Sequence, residues 1–140
     1  MLATCITGCG ALKRVHECEQ VAESINTEMA EIRFQLPDAG VEAPAYTEIA
    51  AVYDRLSQRV SAIAARDTAL ARTLVSYKDV LERAAQHSRA YAEELAQPAP
   101  SKQERKEREG RLKRIRTMAK NDLVREASVV RKLNALCHQE

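Results

Sequence analysis

The sequence predicts an all-α fold, an antiparallel bundle of four helices, from three observations. Residues of high helix propensity dominate the chain, while Gly and Pro number 4 each and aromatic residues make up only 4%. Apolar residues recur at alternating steps of three and four along most of the chain, as they do on the buried face of a helix. Helix-breaking residues interrupt these series. At 140 residues the chain can bury one core, so we expect one bundle domain over residues 11–140.

The first helix is predicted from an apolar series that occupies one helical face. It should end at Pro37 and the following Asp38-Ala39-Gly40, because Pro restricts the residue before it and donates no backbone hydrogen bond. The series places Cys18 on the buried face, and its members are Ala11, Val15, Cys18, Ala22, Ile25, Met29, Ile32 and Leu36.

The middle of the chain carries a second series, from Ile49 to Leu95, that Asp67 interrupts. A lone buried carboxylate is costly, whereas the same side chain at a helix N-cap would accept backbone N–H bonds. We therefore predict a break between residues 65 and 67, with helix 2 over residues 45–64 and helix 3 over residues 68–97. The alternative is a three-helix coiled-coil rod in which helices 2 and 3 form one helix about 78 Å long.

The fourth helix is predicted to begin after Ser101, a good N-cap that follows two prolines. Its first turns contain no apolar residue, and we expect i,i+4 ion pairs to support them, namely Glu104–Arg108, Glu107–Arg111 and Glu109–Lys113. Farther along, the predicted buried face comprises Leu112, Ile115, Ala119, Leu123, Ala127, Val130, Leu133 and Cys137.

Helix geometry brings Cys18 and Cys137 to the same height in this bundle, about 26 Å and about 25 Å from the level of Gln35. Both also lie on inward faces, so the sequence predicts a disulfide; two separate buried thiols are the alternative. A zinc site that adds His16 and His138 is disfavoured, because residues two apart on a helix project about 200° from each other.

The tetrapeptide Ile6-Thr7-Gly8-Cys9 satisfies the lipobox rule of bacterial lipoprotein precursors, in which an aliphatic residue and two small residues precede a lipid-modified Cys. Only eight residues precede Cys9, and none is Lys or Arg, so a complete secretory leader is missing. We interpret residues 1–10 as a truncated export signal and tether, with Cys9 as the lipidation site. Removal of Cys5 with the leader and lipidation of Cys9 would leave Cys18 and Cys137 to form a disulfide.

These features together resemble small uncharacterised helical lipoproteins of Gram-negative bacteria. The resemblance rests on the lipobox Cys9, on Glu17-Cys18-Glu19 followed by Ser24-Ile25-Asn26, on tyrosines in a helical middle and on the closing Leu136-Cys137. It implies a lipid-anchored helical bundle in the periplasm or at the outer membrane, and it implies no activity.

Charge is unevenly distributed: residues 1–45 hold 3 basic and 7 acidic side chains, whereas residues 101–140 hold 12 and 6. The leading interpretation of this basic run is a solvated helix kept soluble by ion pairs, and in an exported protein the same surface could meet anionic lipid headgroups or an acidic partner. Nucleic acid is disfavoured because no aromatic residue is interleaved for base stacking. The basic candidates are Lys102, Arg105, Lys106, Arg108, Arg111, Lys113, Arg114, Arg116 and Lys120.

The sequence predicts no enzyme, since it has no phosphate loop, metalloprotease motif or nucleophile elbow, and it predicts no cofactor or metal. His87 is expected to be a surface residue. The leading hypothesis is a lipid-anchored, extracytoplasmic structural or interaction protein with an unknown protein partner, or one that self-associates. The alternative is a cytoplasmic helical adaptor with reduced cysteines and a basic, nucleic-acid-contacting last helix.

Overall fold

The computed structural model describes residues 6–35 and 43–138, and within residues 6–35 it describes the side chains of residues 14–28 and 30. These residues form four α-helices and, within the same ranges, no strand. The helices are α1 (Ile6–Gln35), α2 (Ala43–Ser61), α3 (Thr68–Ala96) and α4 (Lys102–Cys137). The predicted all-α four-helix bundle is confirmed. α1 begins before the expected Ala11, and the predicted stop at Pro37 lies outside the described residues.

α2 and α3 are separate helices, and Asp67 is the N-cap of the second. Its backbone is extended, and its side chain accepts a 2.9 Å hydrogen bond from the backbone N–H of Leu70. Asp67 Oδ2 also accepts a 3.1 Å bond from Arg14 Nε, which joins the start of α3 to α1. The predicted break is therefore confirmed, and the continuous rod is wrong.

α4 begins with a capping box at the predicted Ser101. The hydroxyl of Ser101 accepts from the Glu104 backbone N–H at 3.1 Å, and the Glu104 carboxylate accepts from the Ser101 N–H at 2.9 Å. These bonds lower the pKa of Glu104. Two of the free N–H groups at the helix start are thereby satisfied, which allows an entirely polar first turn to be helical.

The apolar core lies where α2, α3 and α4 pack together, and α1 adds one edge of it. Leu56, Leu70 and Leu81 have no exposed surface, as expected from the middle apolar series. α3 contributes most to the core because it contacts both α2 and α4. The core cluster comprises Cys18, Val21, Leu56, Val60, Leu70, Leu74, Tyr77, Val80, Leu81, Val129 and Leu133.

The buried face of α4 differs from the predicted one in its second half. Leu123 is 57% exposed and Ala127 is also exposed, whereas Asp122 is only 4% exposed and Glu126 is half-buried. The buried face of this part of α4 is thus shifted by one residue from the face that the apolar pattern predicted. The reason is that α3 supplies polar partners for both carboxyl groups, as described below.

The buried face of α1 also differs from its apolar series. Val15 is 52% exposed and Ala22 is exposed, whereas Glu28 is 1% exposed. Glu28 can be buried because Oε2 lies 3.0 Å from Arg55 Nε and Oε1 lies 2.6 Å from Arg59 Nε. α1 therefore attaches to α2 through ion pairs as well as apolar contacts.

Candidate functional site

The sulfur atoms of Cys18 and Cys137 are bonded at 2.03 Å, with their Cα atoms 5.7 Å apart. The bond joins α1 to the last turn of α4 across 119 residues of sequence. Both cysteines belong to or pack against the apolar core, as their predicted faces required. The predicted pairing is therefore present in the fold.

An apolar groove of about 270 Å³ runs between α1 and α4 beside this bond. The residues that line it are mostly aliphatic, and the exposed Val15 lies at its edge. His16 is exposed and is not among the residues that line the groove, and its Nδ1 lies 3.8 Å from the Glu19 carboxylate. Within residues 6–35 and 43–138, no group of three or more His, Cys, Asp and Glu side chains is arranged to hold a metal ion.

A polar pair lies inside the bundle between α3 and α4. His87 Nδ1 is 2.5 Å from Asp122 Oδ2, and the two side chains are 18% and 5% exposed. Arg83 Nε and Arg125 Nη1 each lie 4.0 Å from Asp122 Oδ1. The expectation that His87 is a surface residue is wrong, because its partner is 35 positions away in sequence.

A second polar group lies one turn farther along α4. The Tyr77 hydroxyl donates a hydrogen bond to the Glu126 carboxylate, and Tyr77 is 1% exposed. Burial raises the pKa of Glu126, and the bond from Tyr77 opposes that shift only in part. Burial also raises the pKa of nearby Tyr53 to about 12. These hydroxyls therefore stay protonated at neutral pH.

The burial of Asp122 and Glu126 has a counterpart in the sequence, although a search for apolar residues alone does not find it. The buried positions of α4 follow strict steps of three and four, and Asp122 and Glu126 fill two of them. The series is Leu112, Ile115, Ala119, Asp122, Glu126, Val129 and Leu133.

A third buried carboxylate, Glu17, helps to fix α1 to the connection between α2 and α3. Its Oε1 accepts a 2.8 Å hydrogen bond from the backbone N–H of Arg66. Its Oε2 is buried and has no hydrogen-bond partner among the described residues. Glu17 therefore contributes one satisfied and one unsatisfied acceptor at the disulfide end of the bundle.

The arginines in the basic half of α4 contact the rest of the bundle. Arg105 Nη1 donates to the Pro100 carbonyl at 2.8 Å, and Arg108 Nη1 donates to the Gln97 carbonyl at 2.9 Å. Arg111 Nε pairs with Glu94 at 2.6 Å. The expected pairs of Arg108 with Glu104 and of Arg111 with Glu107 are therefore replaced by bonds toward α3 and the connection before α4.

Arg116 also contacts the rest of the bundle, because its guanidinium lies 5.9 Å from the ring centroid of Tyr91 in α3. A surface hollow of about 330 Å³ lies beside it. The remaining basic candidates are exposed to solvent, and two lysines help to line the hollow. The lining residues are Glu109, Lys113, Arg116, Thr117 and Lys120.

Cys9, the predicted lipidation site, lies within the range of α1, but its side chain is outside the described ones. No described helix is both long enough and apolar enough to cross a membrane. The chain matches no protein-family model, no curated protein and no solved structure. The functional proposals therefore rest on its own residues.

Proposed function

We propose that this protein is a lipid-anchored, extracytoplasmic helical bundle with a structural or protein-interaction role and no catalytic activity. The observation that carries the proposal is the bond between Cys18 and Cys137. Thiol-reducing systems keep such pairs open in the cytosol, whereas exported proteins retain them. A bond that ties α1 to the last turn of α4 fits a protein that works outside the reducing compartment.

The polar groups of the core support a structural role for those side chains. His87 and Asp122 are directed at each other, and Glu126 is directed at Tyr77. A general base needs a free position within hydrogen-bond reach of a substrate. Here the acceptor groups contact neighbouring helices, so they serve to hold α3 and α4 in register.

The lipid anchor at Cys9 is the part of the proposal that rests on the sequence, through Ile6-Thr7-Gly8-Cys9. An acyl chain would provide the membrane link, since each buried CH₂ group contributes about 0.8 kcal/mol to membrane affinity. The anchor would leave the bundle outside the bilayer, free to contact a protein partner or a second copy of the chain.

The test is to express the gene with its upstream genomic region in its native host and to measure the intact mass of the protein. We expect a mature chain that begins at an acylated Cys9 and gains two hydrogens on reduction. Cys9→Ser should abolish acylation and preserve the mass change on reduction. Cys18→Ser with Cys137→Ser should preserve acylation and abolish the mass change on reduction.

Two outcomes would contradict the proposal in different ways. An unprocessed chain with the Cys18–Cys137 bond would remove the anchor but leave an exported bundle. An unprocessed chain with free thiols, recovered from the cytosolic fraction, would favour the alternative adaptor whose basic α4 contacts nucleic acid. Crosslinking of the intact cells would then identify the partner in either compartment.

A further inference from the structure

We propose that the outward face of α4 is a docking surface for an anionic lipid bilayer, formed by a row of four lysines. The row, called here the lysine stripe, comprises Lys102, Lys106, Lys113 and Lys120. All four side chains are exposed, and in the part of the chain that the structure describes none forms an ion pair.

Helix geometry aligns these four residues on one side of α4. At 100° per residue their directions fall within about 40° of each other, and the row extends about 27 Å along the helix axis. The buried Asp122 lies on the opposite side of the helix, and the buried Leu112 lies about 100° from the centre of the row. The lysine stripe therefore points away from the bundle.

Lysine and arginine have different positions in this helix. Arg105, Arg108 and Arg111 contact backbone carbonyls and Glu94 as described above, and these bonds fix them against the bundle. Among the described side chains, the four lysines have no comparable contact. The basic segment thus contains arginines that bond to the bundle and other basic residues, the four lysines and Arg114, whose side chains face solvent.

The acidic residues of the same segment lie mostly on other sides of α4. Glu104 bonds to Ser101 at the helix start, and Glu107 accepts a 2.7 Å bond from Gln103. By helix geometry both project about 100° or more from the centre of the lysine stripe. Glu109 projects about 40° from the centre of the stripe and helps to line the surface hollow. The stripe is therefore a continuous positive surface with one acidic neighbour.

The geometry favours a bilayer over nucleic acid. A straight row of ammonium groups on a rigid helix meets a flat surface with all its members at once, and each charge near an anionic membrane adds to the binding. No aromatic side chain lies in Lys102–Lys120 to stack on bases. No apolar residue accompanies the four lysines between those positions on this face, so we expect reversible, salt-sensitive binding without insertion.

This surface goes beyond the proposed function, and it does not depend on lipidation of Cys9. If both are present, they act together, because one acyl chain gives only marginal membrane binding and a polybasic surface is a typical second signal. The bundle would then lie along the membrane on α4.

The test uses the full chain with Cys9→Ser, purified with its Cys18–Cys137 bond intact, so that no acyl chain contributes. Binding is measured by cosedimentation with vesicles of phosphatidylcholine that contain one-third phosphatidylglycerol, and with vesicles of phosphatidylcholine alone. We expect binding to the anionic vesicles only, and a loss of binding as salt is raised.

The decisive variant is K102Q/K106Q/K113Q/K120Q. Each lost charge should weaken partitioning about fivefold, so the quadruple variant should show no measurable binding. The matched control is R66Q/R72Q/R114Q/K132Q, which removes the same charge from exposed positions outside the stripe. It should retain most of the binding, and the circular dichroism of both variants should match that of the parent chain.

Three results would overturn the proposal. The first is equal binding to neutral and anionic vesicles, and the second is equal loss in the stripe variant and the control. The third is tighter binding to a DNA duplex than to anionic vesicles at the same ionic strength, which would assign the surface to nucleic acid. None of these results bears on the acylation and disulfide measurements, so the two proposals can fail separately.

Discussion

Nδ1 of His87 lies 2.5 Å from Oδ2 of Asp122, and this contact joins α3 to α4 through two side chains that are largely buried. The carboxylate has the imidazole as its close partner, while the guanidinium groups of Arg83 and Arg125 lie 4.0 Å away. Removal of one member of such a pair leaves the other without compensation for its lost hydration.

We therefore predict that His87→Ala lowers the free energy of unfolding by about 3 kcal/mol, because it leaves the Asp122 carboxylate buried. The double variant His87→Leu with Asp122→Leu should recover most of that loss, since it replaces both polar groups by apolar ones. Urea unfolding of this double variant and of the single variants His87→Leu and Asp122→Leu completes a double-mutant cycle. Additive effects of the two single substitutions would show that the pair is not coupled.

The protonation of Glu126 gives a prediction with a defined pH dependence. Its pKa is raised by burial, so the folded protein binds this proton more tightly than the unfolded chain does. Ionisation of this carboxyl therefore lowers the free energy of unfolding as pH rises above about 4.3, which is the pKa of Glu in an unfolded chain. Glu126→Gln should be more stable than the parent at neutral pH, because the amide oxygen still accepts from Tyr77.

The gain from Glu126→Gln should vanish below about pH 4, where the carboxyl is protonated in both states. Urea midpoints across the acid range measure this difference. Glu107→Gln, a change at an exposed position of the same helix, is the control and should show no such trend. A constant difference at all pH values would mean that packing, and not ionisation, separates the variant from the parent.

The disulfide should contribute strongly to stability because it closes a long loop. On the chain-entropy account, Cys18→Ser with Cys137→Ser lowers the free energy of unfolding by about 2–5 kcal/mol. Reduction of the parent should lower its urea midpoint to a similar value, while Cys5→Ser with Cys9→Ser leaves it unchanged. Identical midpoints for oxidised and reduced parent would contradict the bond found here.

Gly110 offers a stabilising substitution within α4. A methyl group built at this position meets nothing within 4 Å, so no neighbour must move. Because Gly weakens a helix interior relative to Ala, Gly110→Ala should raise the free energy of unfolding by about 0.5–1 kcal/mol. Thermal unfolding followed by circular dichroism measures the change. A lower melting temperature would show that the glycine has another role.

The helix boundaries were predictable because their causes are local. Asp67 and Ser101 bond to backbone groups three residues away, and such spacings are visible in sequence. The levels of Cys18 and Cys137 followed from the fixed rise of the helix and from the antiparallel order of the elements. Short-range hydrogen bonding and regular geometry therefore account for the part of the fold that was correct.

The buried charges were not predictable from apolar spacing, because their partners come from other helices. Asp122 requires His87, and Glu28 requires Arg55 and Arg59. Each partner lies 27 or more positions away in sequence. Leu123 and Val15 satisfied the apolar pattern but are more than half exposed. The faces of α1 and α4 were thus decided by long-range pairing, which a single helix pattern does not contain.

The same long-range principle separates the basic residues into two classes. The nine candidates in Lys102–Lys120 look alike as a sequence, and only the packed hairpin of α3 and α4 shows that Arg111 bonds to Glu94 while Lys113 faces solvent. The role of this segment as a binding surface stays a prediction. Its composition as a stripe of lysines required the structure.

The bond between Cys18 and Cys137 also determines how the molecule would respond to tension. A force that pulls Ile6 away from His138 passes directly through the two sulfurs, since 119 positions of sequence separate the joined residues. The force bypasses the helices between the two cysteines. The chain inside this covalent ring, roughly 400 Å long when extended, is therefore not stretched. A molecule held at both ends would therefore keep α2 and α3 folded while it acts as a short, inextensible link.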